Sequence, residues 1–173
     1  MSGSAPVSDL VVTLPDAAAT TDLGRRLAGL LRAGDLVILT GELGAGKTTL
    51  TQGLGDGLGV RGRVSSPTFI IAREHRPLGS GPGLIHVDAY RLTSLAEVDS
   101  LDLDSSMDEA VTVVEWGADL VEHLAQDRLE IVLERPRGHT DPAAAEPPRR
   151  AVLRPVGERW ADTDLAALAE VLE

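Results

Sequence analysis

The 173 residues suit one domain spanning 1–173, and a 43% hydrophobic content supplies a core, although 2% aromatics means that Leu, Val, Ile and Ala must build it. The absence of cysteine excludes a disulfide scaffold, thiolate chemistry and Cys-based zinc sites, and no apolar run has the length of a membrane span. A net charge of −11, from 16 basic and 27 acidic residues, argues against a chain that holds RNA or DNA by itself, because neutralising phosphates needs a positive surface.

The N-terminus, Met1 to Pro6, lacks the basic and apolar parts of a signal peptide, so a cytoplasmic protein with no membrane and no DNA partner is expected. Leu10 to Leu14 predicts a short strand, and Pro15-Asp16 a turn into a helix. In that helix Leu23, Leu27, Leu30 and Leu31 share one face, Arg25, Arg26 and Arg32 lie elsewhere, and Gly34 is the expected C-terminal cap. Asp35 to Thr40 is the next strand, and it delivers Gly41-Glu42-Leu43-Gly44-Ala45-Gly46-Lys47-Thr48-Thr49.

A strand, a glycine-rich turn and a helix, in that order, are what the G-x-x-x-x-G-K-[ST] phosphate loop requires. Gly41, Gly44 and Gly46 let successive backbone N–H groups turn inward at phosphate oxygens, and the positive end of the following helix adds to that field. Lys47 is expected to reach the outer phosphates, and the Thr48 hydroxyl to take one position on Mg²⁺. Glycines 53, 55, 57 and 59 then crowd the helix, each costing about 1 kcal/mol against alanine inside it. Close packing on the sheet and early fraying are two readings that the spacing does not separate.

Val60 to Pro67 predicts a loop, Thr68 to Arg73 a strand, and Pro77 to Gly83 a hairpin-like return. Leu84 to Asp88 and Val111 to Glu115 are apolar strands that each end in a carboxylate. Short helices are expected over 93–98 and 119–125, a strand over 129–134, a flexible loop over 136–148 and a returning antiparallel strand over 150–154. A final helix lines up Leu165, Leu168, Ala169 and Leu172. Strands alternating with helices around a phosphate loop indicate an α/β fold of the P-loop NTPase class, a largely parallel central sheet flanked by helices with antiparallel additions.

Ligands of such sheets sit beyond the carboxyl ends of the parallel strands, where Asp88 and Glu115 are expected. One acid would help to hold Mg²⁺ and the other would orient or activate water, with the assignment open at this level. Ser66 and Thr68 lie where switch segments occur, and their hydroxyls suit sensing of a γ-phosphate. The histidines, His75, His86, His123 and His139, lack metal-ligand spacing; His86 suits either the site or the core, and the core reading is the favoured one. No Asn-Lys-x-Asp tetrapeptide occurs, which favours ATP over GTP.

Taken together, Gly41 to Thr49, Ser-Pro-Thr-Phe at 66–69, His-Val-Asp-Ala-Tyr-Arg-Leu at 86–92, Glu-Trp at 115–116 and Leu-Pro-Asp at 14–16 resemble the ordered signature of the TsaE (YjeE) family over roughly residues 10 to 135. The resemblance implies the ATPase subunit of the bacterial machinery that forms N6-threonylcarbamoyladenosine at position 37 of tRNAs reading ANN codons. It implies weak intrinsic ATP hydrolysis with Mg²⁺, association with a TsaB–TsaD heterodimer that the hydrolysis resets between turnovers, and tRNA contact only through that complex. By position it makes Thr48 and Glu115 the Mg²⁺ ligands and, with Lys47, Asp88 the acid needed for hydrolysis; it places Ser66 and Thr68 in a switch-like loop and Thr13 and Thr21 near the base or ribose. Residues 137–149 match no pattern of the family.

Overall fold

The structure, a computed structural model, describes residues 9–41, 46–60, 72–88, 108–115, 127–135, 148–161 and 163–168. Along the chain run β1 (Leu10–Leu14), α1 (Ala17–Ala28), β2 (Leu36–Gly41), α2 (Lys47–Leu58), β3 (Ala72–His75), β4 (Gly83–Asp88), β5 (Ala110–Glu115), β6 (Arg128–Glu134) and β7 (Arg149–Val156). Two 3-10 turns, Glu158–Trp160 and Leu165–Leu168, follow. The strands form one seven-stranded sheet in the order β1-β7-β6-β2-β5-β4-β3. β6, β2, β5 and β4 are mutually parallel, whereas β1, β7 and β3 add antiparallel edges. The mixed α/β architecture is the one that the strand and helix patterns predict.

Leu36 to Leu39 and Val111 to Val114 are unbroken apolar or β-branched runs because strands in the parallel middle of a sheet are buried on both faces. Pairing sets Val37, Leu39, Val111, Val113, Leu84, Leu129, Ile131, Ala151 and Leu153 on one face, and these join Leu23 and Leu27 of α1 and Leu50 and Leu54 of α2 in the core. His86 and Glu115 interrupt that same apolar face. Leu36, Ile38, Thr112, Val114, Ile85 and Val87 occupy the other face and are equally buried.

The first helix begins as expected, with the Asp16 side chain accepting from the Ala19 N–H at 2.8 Å. It stops at Ala28, six residues before the expected Gly34 cap. Competing partners take the next turn: the Leu30 carbonyl accepts from Arg159 Nη2 at 2.7 Å, and the Asp35 carboxylate accepts from the Arg32 N–H at 2.8 Å. Arg159 also donates to both oxygens of Asp35, at 3.0 and 2.9 Å, a fork geometry that locks the entry to β2. Leu31 is still buried, delivered by a turn instead of a helix.

Two of the crowded glycines, Gly53 and Gly57, form a contact surface, and that surface meets α1, not the sheet. A Cβ at Gly53 would fall on the Thr21 carbonyl, and one at Gly57 would come within 2.7 Å of the Arg25 carbonyl and 2.6 Å of the Ala28 methyl. From the other side, Gly24 admits the backbone of Leu50 and Leu54. The helix runs on to Leu58 without fraying and is ended by Gly59 at φ 68°.

The hairpin β3–β4 and the antiparallel β6–β7 pair match their sequence patterns. β3 starts at Ala72, and residues 68–71 of the expected strand lie outside the described residues, as do the expected helices over 93–98 and 119–125 and residues 136–147. The expected C-terminal helix is replaced, over its described part, by the turn Leu165–Leu168, which still buries Leu165 and Leu168; Ala169 and Leu172 lie outside the described residues.

Helix propensity alone makes Gly53→Ala stabilising by about 1 kcal/mol. The overlap with the Thr21 carbonyl reverses that sign, so a net loss of about 1–3 kcal/mol in urea unfolding is expected. Gly59→Ala, with open space around it but a left-handed backbone, is expected to lose about 1–2 kcal/mol through strain alone. Equal or greater stability of Gly53→Ala would contradict the close helix contact.

Candidate functional site

The parallel register brings three strand ends to one edge. Leu39 of β2 lies beside Glu115 of β5, Glu115 lies beside Asp88 of β4, and Gly41 closes β2 beside Leu133 of β6. α2 rises from the same edge. Its N-cap, Gly46, has φ 108° and ψ 16°, a left-handed turn that glycine adopts without a Cβ penalty. Among the described residues no side chain caps this N-terminus, and its first turn contains no acid. The positive end of the helix is therefore left without a resident counter-charge from α2 itself.

Lys47, the first helical residue, is buried at 6% exposure, and its Nζ donates to the Gly41 carbonyl at 2.7 Å. A buried ammonium is tolerated only when it is hydrogen-bonded, and this bond ties the two ends of the glycine-rich loop together. Thr51, fully buried, donates its hydroxyl to the Lys47 carbonyl at 2.8 Å, and the Leu50 N–H donates to the Gly46 carbonyl at 2.9 Å. Thr48 and Thr49 are half-buried in that first turn. Between the two ends, Glu42, Leu43, Gly44 and Ala45 lie outside the described residues.

Glu115 is buried at the end of β5, and its Oε1 lies 3.1 Å from Nε2 of His86, which has no exposure at all. The sequence places His86 in the core; it is there, and it also reaches the acid. The backbone of Asp88 is paired with Glu115, while its side chain is not among the described parts. Ser66, Thr68 and Trp116 lie outside the described residues.

Thr13 is exposed on the edge strand β1, alternating with buried Val12 and Leu14, and its Cα faces Arg150. Thr21 is half-buried, with its hydroxyl donated to the Ala17 carbonyl at 3.1 Å. The residue that reaches the loop is its neighbour: a Cβ on Gly46 would lie 3.6 Å from the Thr20 methyl and 3.1 Å from Nη1 of Arg149. Thr20 is legible in hindsight, because 20, 23, 24 and 27 fall on one helical face and all four are buried. Arg149 has no local signal. It arrives because β7 pairs with β1, setting Arg149 beside Leu14.

Among the described residues no group of three or more His, Asp or Glu side chains is placed to hold a metal unaided. A hydroxyl from Thr48 and a carboxylate from Glu115 nevertheless suit Mg²⁺, a hard cation that takes one or two protein oxygens and completes its shell with phosphates and water.

Comparison with known proteins bears on this arrangement. Residues 14–141 match the sequence model of the family described as "Threonylcarbamoyl adenosine biosynthesis protein TsaE". A Streptomyces coelicolor protein named tRNA threonylcarbamoyladenosine biosynthesis protein TsaE is 59% identical over 86% of this chain and 98% of its own length. The chain belongs to the TsaE family. A Bacillus subtilis relative of the same name is 37% identical over 82% of each chain, so the family likeness extends well beyond one bacterial group. The crystal structure of Bacillus subtilis YdiB superposes with a TM-score of 0.66 at 30% identity, covering 96% of this chain and 95% of that one. Membership rests on sequence over most of this TsaE-family chain and on the whole course of its fold. In addition, no helix among the described residues is long and apolar enough to cross a membrane.

Lys47→Met keeps the length of the side chain and removes the donor to the buried Gly41 carbonyl. A loss of about 1–3 kcal/mol is expected from the unpaired carbonyl, measured by urea unfolding without nucleotide. An unchanged midpoint would show that the lysine does not close the loop in solution.

Proposed function

We propose that this chain is an ATP-binding and ATP-hydrolysing subunit of the P-loop NTPase class, required for N6-threonylcarbamoyladenosine formation at position 37 of tRNAs reading ANN codons. The observation that carries the reading is the Lys47–Gly41 closure at the uncapped start of α2, set beside the strand that ends in Glu115. The relatives' names support the tRNA side of the reading.

The backbone N–H groups and dipole at the start of α2 attract the phosphates. Lys47 has three donors, so it can keep the Gly41 carbonyl while turning another N–H to the outer phosphates. Thr48 and Glu115 would hold Mg²⁺, which when bound draws charge from the phosphate oxygens. Asp88, at the end of the neighbouring parallel strand, is assigned the orientation of the attacking water. Thr13, Thr21, Ser66 and Thr68 are carried as nucleotide-contacting and switch-like positions on the strength of the family pattern.

The proposed partner is the TsaB–TsaD heterodimer, with hydrolysis resetting the complex between turnovers in the cytoplasm. The net charge of −11 agrees with a subunit that leaves the tRNA to its partners.

ATP hydrolysis measured alone and with the TsaB–TsaD pair tests the reading. Slow release of free phosphate alone, and faster release with the pair, is expected. Lys47→Ala should weaken nucleotide binding about tenfold or more, because hydrogen bonds to charged groups contribute about 1.5–3 kcal/mol. Glu115→Ala and Asp88→Ala should retain assembly and lose multiple-turnover tRNA modification. Absence of both stimulation and binding would overturn the assignment, and phosphate recovered on a small metabolite would replace it with a kinase.

A further inference from the structure

His86 is a residue that packing alone does not explain. It lies on the face of β4 that turns toward the apolar core, with Leu84 two positions before it, and it is completely buried. Its direct neighbour on β5 is Val113. A leucine or valine would fill such a place without any polar cost, whereas an imidazole brings two ring nitrogens into the core. The polar partner explains the residue type. Glu115 is two residues beyond Val113 on the same face, the diagonal position that a ring on an adjacent strand can reach. The observed separation of Nε2 and Oε1 is 3.1 Å.

The hydrogen positions follow from the surroundings. Nε2 and a carboxylate oxygen are both acceptors unless a proton lies between them, so Nε2 carries the hydrogen and donates it to Oε1. His86 Nδ1 is buried and has no hydrogen-bond partner among the described residues. The ring is sealed at 0% side-chain exposure while the acid keeps 5%, so the pair meets the strand-end site through the carboxylate.

From this geometry we infer that His86 is a positioning residue that holds Glu115 through Oε1 and leaves Oε2 for the metal of the nucleotide complex. The inference rests on the nucleotide reading of the site. A carboxylate ligand pinned by a rigid donor loses less rotational freedom on taking up a cation, and loss of such supporting partners commonly lowers metal affinity. His86 touches neither substrate nor metal in this arrangement; it acts through Glu115.

The test separates nucleotide from metal, with Mn²⁺ as the paramagnetic probe. Nucleotide affinity is measured in EDTA with a fluorescent ADP, and Mn²⁺ affinity of the protein–ADP complex by electron paramagnetic resonance. His86→Leu is expected to bind ADP in EDTA within about twofold of the unmutated protein and to bind Mn²⁺ about tenfold or more weakly. His86→Gln, which returns an N–H donor, should recover most of that loss. Nitrogen-15 spectra of the unmutated protein should show a proton on Nε2. Undiminished Mn²⁺ affinity in His86→Leu, an equal loss of ADP binding in EDTA, or an Nε2 without a proton would each overturn the positioning role while leaving the nucleotide site standing. Should His86→Leu fail to fold, the Nε2 proton and the His86→Gln affinity decide: an Nε2 without a proton, or Mn²⁺ binding by His86→Gln as weak as that of Glu115→Gln, overturns the role. Failure of the unmutated protein to bind ADP would remove the nucleotide reading, and this inference with it, whereas ADP binding without Mn²⁺ uptake would overturn this inference alone.

Discussion

The parallel register of β2, β5 and β4 is the constraint on which the rest of the site depends. It aligns Leu39 with Glu115 and Glu115 with Asp88, so that three chain segments distant in sequence end on one edge. Because side chains alternate along a strand, a slip of one residue would turn Glu115 to the opposite face and exchange it for Val114. The apolar neighbours prevent that slip. Val37, Leu39, Val111, Val113 and Leu84 must all face the helices together, and the energy of burying them is what holds the acid in place.

A second dependence concerns the helix that rises from the loop. The N-terminus of α2 is directed by its contact with α1, and that contact exists because Gly24, Gly53 and Gly57 remove the side chains that would separate the two backbones. Propensity is sacrificed for proximity. The same closeness brings Thr20 against Gly46, so the packing of two helices and the shape of the loop exit are one structural fact. Charged and polar groups then enter an otherwise hydrocarbon interior: Lys47, His86 and Glu115 are all nine-tenths buried or more. Each has a partner, Gly41 for the lysine and one another for the pair, which is the condition for tolerating them there. They weaken the core as packing and are explained by chemistry at its edge.

The local grammar of the chain was legible without coordinates. β1, β2, β4, β5 and β6 fall within a residue or so of the apolar patterns that predict them: β2 and β5 as unbroken runs because they are buried on both faces, β1 and β6 as alternations because only one face is. Lys47 and Thr48 were identifiable from the spacing of three glycines and a lysine after such a run, and Glu115 from its place at the end of another. The first helix was overrun to Gly34 because periodicity sees the apolar side chains of Leu30 and Leu31 but not Arg159, which captures the Leu30 carbonyl from 129 residues away. The C-terminal turns were read as helix for a similar reason, since Leu165 and Leu168 are buried by position and not by helical hydrogen bonding.

By itself the sequence determined the family and its local pattern: a glycine-rich turn with one lysine between a buried strand and a helix, acids at two strand ends, and an ordered set of motifs that belongs to the TsaE family. These are short-range properties, and short-range spacing encodes them. Only the tertiary structure decided which residues accompany that pattern. Arg149 reaches the loop through an antiparallel pairing with β1, and Thr20 reaches Gly46 through the face it presents to α2. His86 changes from a core residue into the partner of Glu115 because β4 and β5 run parallel in one register. Strand order and register arise from the burial of the whole apolar face at once, and no stretch of the chain carries that information alone.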